Sequence, residues 1–356
     1  MINLDILKAV PKVELHDHLD GGLRPLTILE LASRYNIPMP ADTPDDIASW
    51  FHRGADRKSL PAYLEGFAVT VSILQHREAL VRVAREAIID RAEENIIYVE
   101  IRFAPSLHTL KGLNLEEIVE SVLAGLEEGS AETGIMYGLI LCAMRDKSDS
   151  LEIAELAVSF RSKGVVGFDI AGDEFGHPPR RHLEALKYIT SKNFNITIHA
   201  GEAFGPESIW QALQVCGSHR IGHATRLMED MTVTPSGGIK MGTLSHFIRD
   251  RRIPLEICLS SNIHTGAAAS LEQHPFIIYY RNGFRVFLCT DNRLMSNTTL
   301  TNELSIASSL FSLTLKDMEK LTLNAIKSAF IHYDERLEII YDIIKPGYEE
   351  IRKNMV

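Results

Sequence analysis

The chain has 356 residues, 45% of them apolar, and a formal net charge of −10. That length and apolar content suffice for a large α/β unit, read as one domain over 1–356. The negative balance argues against a surface built to grip nucleic acid. Cys142, Cys216, Cys258 and Cys289 are widely spaced with no CxxC pair, which suits a reduced, cytoplasmic protein. The first residues, Met1 to Asp5, lack the charged start and apolar core of a signal peptide. No run of about 18 apolar residues marks a membrane span.

Taken in order, short runs rich in Val, Ile and Phe alternate with segments of helical period. The first predicted strand, 12–16, runs into His16-Asp17-His18. Extended chain puts residues i and i+2 on one face, so both imidazoles point the same way. A Pro-rich stretch over 36–70 then breaks the alternation. It is expected to form short helices inserted after the first strand and to roof the site. Further strands are predicted at 97–103, 135–143, 165–170, 195–199, 220–222, 254–258 and 285–290. Helices are expected at 26–35, 78–94, 115–132, 150–163, 181–192, 208–215 and 245–251, with only helices after 301. Eight strands alternating with helices predict a closed (β/α)8 TIM-type barrel with C-terminal helices.

In such a barrel the active site lies at the C-terminal ends of the strands. Polar residues follow most of the apolar runs, among them His199 and Glu202, His223, and Asp291 with Asn292. Three histidines and an aspartate suit zinc better than magnesium or calcium. His16, His18, His199 and Asp291 are therefore the candidate ligands of one zinc ion, with His18 also bordering the substrate. Zinc lowers the pKa of bound water to about 7. Asp291 is expected to accept a hydrogen bond from that water and His223 to orient it. Glu202, three residues past His199, is placed to keep its proton and give it to a ring nitrogen. Arg102 and Glu100 are read as a buried ion pair, and Asp173 and Glu174 as supporting acids. The remaining histidines read as surface or structural; for His264, after the strand carrying Cys258, a structural place and a place lining the pocket are both open. No Walker, GxGxxG or HExxH motif is present. No strand-end lysine suggests a bridge between two metals.

The segments Glu14-Leu15-His16-Asp17-His18-Leu19-Asp20-Gly21, Asp169-Ile170-Ala171-Gly172-Asp173-Glu174, His199-Ala200-Gly201-Glu202, Gly222-His223, Ser260-Ser261-Asn262 and Thr290-Asp291-Asn292 together resemble the adenosine deaminase family of metal-dependent hydrolases. The resemblance spans nearly the whole chain. It implies zinc-dependent hydrolytic deamination of adenosine, and of 2′-deoxyadenosine, to inosine and ammonia in purine salvage. By the same resemblance Glu202 donates a proton to purine N1 and His223 orients the attacking hydroxide. Asp20 then bonds the ribose, and Gly172 meets the ring through its backbone. Where the family often has a second aspartate facing N7, this chain has Asn292, whose amide can donate there. That difference widens the substrate class to adenine or a modified adenine nucleoside. A nucleoside-binding relative without catalysis is the reading from another class, and the intact His/His/His/Asp set with Glu202 argues against it.

Overall fold

The computed structural model describes residues 2–355, so Met1 and Val356 of the expected 1–356 unit lie outside the described residues. Branched apolar runs form β1 (Lys12–His18), β2 (Ile96–Phe103), β3 (Met136–Met144), β4 (Val165–Ala171), β5 (Asn195–Ala200) and β6 (Arg220–His223). A small antiparallel hairpin of β7 (Met231–Val233) and β8 (Ile239–Met241) follows, then β9 (Pro254–Ile257) and β10 (Arg285–Leu288). The large sheet runs β1-β2-β3-β4-β5-β6-β9-β10, with every neighbouring pair parallel. At the seam the His18 N–H donates to the Asp291 carbonyl at 2.7 Å, and the Asp291 N–H to the His16 carbonyl at 2.8 Å. These bonds close the eight strands into the predicted (β/α)8 barrel.

All eight predicted strands are present. The first is two residues longer than expected, so both histidines belong to β1. Most of the barrel strands are buried along nearly their whole length, as parallel strands covered by helices must be. The hairpin was not predicted: each of its strands is only three residues long, and five turn-forming residues, 234–238, separate them. The helix expected over 150–163 stops at Ser159 and continues as a short 3₁₀ turn, Arg161–Lys163, into left-handed Gly164. The helix expected at 208–215 starts earlier, at Pro206, and widens into a π turn over Gln211–Val215.

The insertion is helical, as expected: Pro44–Ala55, Leu60–Leu64 and Phe67–Ile73. Pro44 and Pro61 sit in the first turns, where a missing N–H costs nothing. Leu60, Tyr63, Leu64, Phe67, Ala68 and Val71 from these helices cover the barrel mouth. After β10 the described residues are helical: Leu300–Phe311, Leu315–Ile326, Tyr333–Glu338 and Lys345–Asn354, with a π turn between the last two. No described helix is long and apolar enough to cross a membrane.

Below the mouth the barrel interior is charged. Asp169 meets Arg102 at 2.9 Å, Arg102 meets Glu256 at 3.0 Å, Glu256 meets Arg220 at 2.7 Å and Arg220 meets Glu100 at 2.6 Å. Arg102 and Glu100 are thus both ion-paired, but not to each other as read from the sequence. Residues i and i+2 of one strand are about 7 Å apart, so acids on other strands reach Arg102 first. Asp17, between the two histidines of β1, faces outward and pairs with Arg91 of the helix Arg77–Ala92 at 2.5 Å.

Candidate active site

Each imidazole at the barrel mouth is presented by a strand end. β1 supplies His16 and His18, β5 supplies His199, and β6 supplies His223. Asp291 follows β10. His223 and Asp291 both take a left-handed backbone, with φ of 65° and 63°. That conformation is uncommon for residues with a side chain and turns each one sharply off its strand.

One donor atom from each of His16, His199, His223 and Asp291 falls within a 4.8 Å cluster. His18 adjoins it, with Nε2 3.1 Å from His199 Nε2 and 3.4 Å from Asp291 Oδ1. All four predicted ligand positions therefore converge with His223. What stands behind each imidazole separates them. His16 donates its Nδ1 proton to Glu256 at 2.6 Å, and His199 donates from Nδ1 to Asp169 at 3.0 Å. Each carboxylate fixes the tautomer that leaves Nε2 as a lone pair facing the cluster. His16 Nε2 is buried without a hydrogen-bond partner. Lone pairs gathered in this way, beside the Asp291 carboxylate, fit a divalent cation. Asp291 keeps its Oδ1 3.3 Å from His16 Nε2 and 3.4 Å from His18 Nε2. Ser261 donates to its Oδ2 at 2.5 Å.

Next to the cluster lies a cavity of about 270 Å³ bordered by His18, Asp20, Gly172, Glu202, His223 and Asn292. Its remaining wall is apolar, with Phe67, Leu107 and Met144 among its side chains. The volume lies just below the ~300–1,000 Å³ range of small-molecule sites, which suits a compact ligand. Asp20 Oδ1, Glu202 Oε1 and Asn292 Oδ1 are buried there without partners. Burial pushes Asp20 up to about 7, and burial with the field of Asp291 pushes Glu202 up to about 8. Glu202 is thus a neutral acid at pH 7.

Glu174 does not reach the cavity. Its carboxylate accepts four backbone N–H groups, those of Gly201, Glu202, Ala203 and Phe204, at 2.7–2.9 Å. It clamps the loop that carries Glu202, the supporting task expected of it. Asp173 instead caps the N–H of Phe175 at 3.2 Å. His264 does not border the cavity and packs against His52, ring centroids 5.4 Å apart. Two residues next to the site histidines escaped the sequence reading. Glu256 lay inside an apolar strand, where a lone buried acid was itself a signal. His274 was grouped with structural histidines, yet its Nε2 lies 3.1 Å from Asn262 Oδ1, and Asn262 Nδ2 lies 3.0 Å from His223 Nδ1.

The profile of the family described as Adenosine deaminase matches residues 11–346. "Adenosine deaminase 1" of Streptomyces coelicolor is 51% identical over 354 residues, covering 98% of this chain and 89% of that protein. Among solved structures, the N6-methyl-AMP deaminase of Arabidopsis thaliana superposes with a TM-score of 0.82 at 27% identity, covering 98% of this chain and 100% of that one. A zinc-bound amidohydrolase of Burkholderia ambifaria reaches 0.86 at 20% identity, covering 99% and 95%, and shares the fold. With barrel, histidine cluster and sequence in agreement over nearly its whole length, the chain belongs to the adenosine deaminase family.

Proposed function

We propose that this protein hydrolyses adenosine, and 2′-deoxyadenosine, to inosine and ammonia. The observation that carries the reading is the pair of unpartnered carboxyl oxygens of Asp20 and Glu202 around one small cavity beside the histidine cluster. A buried polar atom left unpaired costs about 1–3 kcal/mol, and a purine nucleoside offers a partner for each. Asp20 receives a ribose hydroxyl, Asn292 donates from its amide to N7, and the Gly172 backbone meets the ring.

His16, His18, His199 and Asp291 would hold one zinc ion per chain. When bound, the ion would lower the pKa of a water so that a nucleophile exists at neutral pH. The remaining work belongs to the protein. Neutral Glu202 gives its proton to N1, which drains electron density from C6 and opens that carbon to water. Asp291, its second oxygen held by Ser261, accepts a hydrogen bond from the incoming water and orients it. His223 faces the same water from β6. Addition of water across N1 and C6, followed by loss of the 6-amino group as ammonia, leaves inosine. The roof from 44–73 lays Leu60, Tyr63, Leu64 and Phe67 over the cavity, and apolar cover of this kind strengthens each of these contacts. Four free, buried thiols suit the cytoplasmic setting of purine salvage.

No lysine or arginine borders the cavity. A 5′-phosphate would find no cation there, so nucleosides are preferred over nucleotides. Free adenine would leave Asp20 without its ribose. Incubating zinc-replete protein with adenosine, adenine and AMP, and following ammonia release, tests the assignment. Adenosine is expected to react with the highest kcat/KM of the three. Absence of adenosine turnover would sink it.

A further inference from the structure

His223 differs from the other histidines of the cluster in what stands behind it. His16 and His199 each have a carboxylate at Nδ1, whereas His223 has the amide of Asn262 at 3.0 Å. An amide can donate from nitrogen or accept at oxygen, and the two choices set opposite tautomers of the ring it faces. The chain of partners beyond Asn262 settles which applies. The backbone N–H of Phe276 can only donate, and it donates to His274 Nδ1 at 3.1 Å. His274 is 1% exposed, and burial pushes it down to about 3, so it is neutral. With Nδ1 accepting, its proton sits on Nε2 and is donated to Asn262 Oδ1 at 3.1 Å. Thr225 Oγ donates to the same oxygen, also at 3.1 Å. Oxygen thus faces His274 and Thr225, and the NH₂ group faces His223. His223 Nδ1 must accept, and its ring proton lies on Nε2.

We propose that His274 and Asn262 are positioning residues that hold His223 as the Nε2–H tautomer. This rests on the active-site reading above and deepens it. A neutral imidazole with a proton on Nε2 has no lone pair to give a metal. The relay therefore keeps His223 out of the ligand set although its donor atom lies within the 4.8 Å cluster. It also assigns His223 a hydrogen bond donated toward the oxygen that attacks C6. In this form Nε2 cannot take the proton of the attacking water, so His223 stabilises and orients charge. That proton passes to Asp291, which accepts the water's hydrogen bond, and from there to the 6-amino group that leaves as ammonia.

The experiment is two-bond ¹⁵N–¹H correlation spectroscopy of zinc-loaded, ¹⁵N-histidine-labelled protein, with the His223 signal assigned by its loss in His223→Gln. The wild type is expected to show the Nε2–H pattern. Asn262→Asp replaces the donor by an acceptor of the same shape and should switch His223 to the Nδ1–H pattern. Its kcat for adenosine should fall on the order of 100-fold, as when one donor to a reacting oxygen is lost, with KM changed less than about threefold. His274→Gln keeps a donor for Asn262 and should retain kcat within about fivefold, whereas His274→Leu should resemble Asn262→Asp. An Nδ1–H signal in the wild type overturns the proposal, as does wild-type kcat in a folded Asn262→Asp. The wild-type spectrum needs no turnover, so an inactive protein with the expected tautomer would sink the substrate reading and leave the relay standing.

Discussion

The floor of the barrel and its mouth are both polar and both buried, yet they treat charge in opposite ways. On the floor three carboxylates have arginines against them: Asp169 and Glu256 on Arg102, Glu256 and Glu100 on Arg220. Asp169 and Glu256 are held well below the usual range; burial works against their charge, and neighbouring cations outweigh it. At the mouth no lysine or arginine pairs with Asp20 or Glu202 among the described residues, and burial pushes both upward. One region is finished within the protein. The other is completed by what binds. The floor also supplies the carboxylates that orient His16 and His199, so its ion chain serves the mouth directly.

The contrast can be broken at several points. Chelation should have the largest effect: adenosine turnover falls by more than about 1,000-fold and returns on adding zinc, with a lower melting temperature in between. Glu202→Gln should lower kcat about 1,000-fold while metal content, measured by mass spectrometry, stays at the wild-type level. Glu256→Leu leaves Arg102 and Arg220 short of an acid and should cost about 3–5 kcal/mol in urea unfolding. A mouth residue should behave differently. Asp20→Ala should raise KM for adenosine about 10–100-fold, roughly one hydrogen bond to a charged group, with little loss of unfolding free energy. An unchanged KM would remove Asp20 from the sugar contact. The mildest test is pH. Glu202 works as an acid only while protonated, so kcat/KM should fall as pH rises through about 8, by at most tenfold per unit. A flat profile from pH 7 to about 9.5 would exclude it as the proton donor.

The barrel was legible because its strands are buried on both faces and therefore read as apolar runs, even the four-residue Arg220–His223. Helix ends were less so: the π turn at Gln211–Val215 and the 3₁₀ turn at Arg161–Lys163 follow from packing that a helical period does not encode. His18, His199, Glu202, His223, Asp291 and Asn292, singled out at strand ends, do border one cavity, because a strand end fixes where its last side chain goes. What lay behind them was hidden. Glu256 acts across the barrel on His16, 240 positions away; a lone acid in an apolar strand signals that it has a partner, but not which one. Arg102 was read as bonding its strand neighbour for the same reason.

The seam between β1 and the residues after β10 carries a final consequence. His16 and His18 leave a ribosome long before Asp291 does. The backbone bonds that close the cylinder run through those same residues. A nascent polypeptide short of Asp291 therefore has neither a closed ring nor a complete histidine and aspartate cluster, and both arrive together when that residue docks on β1.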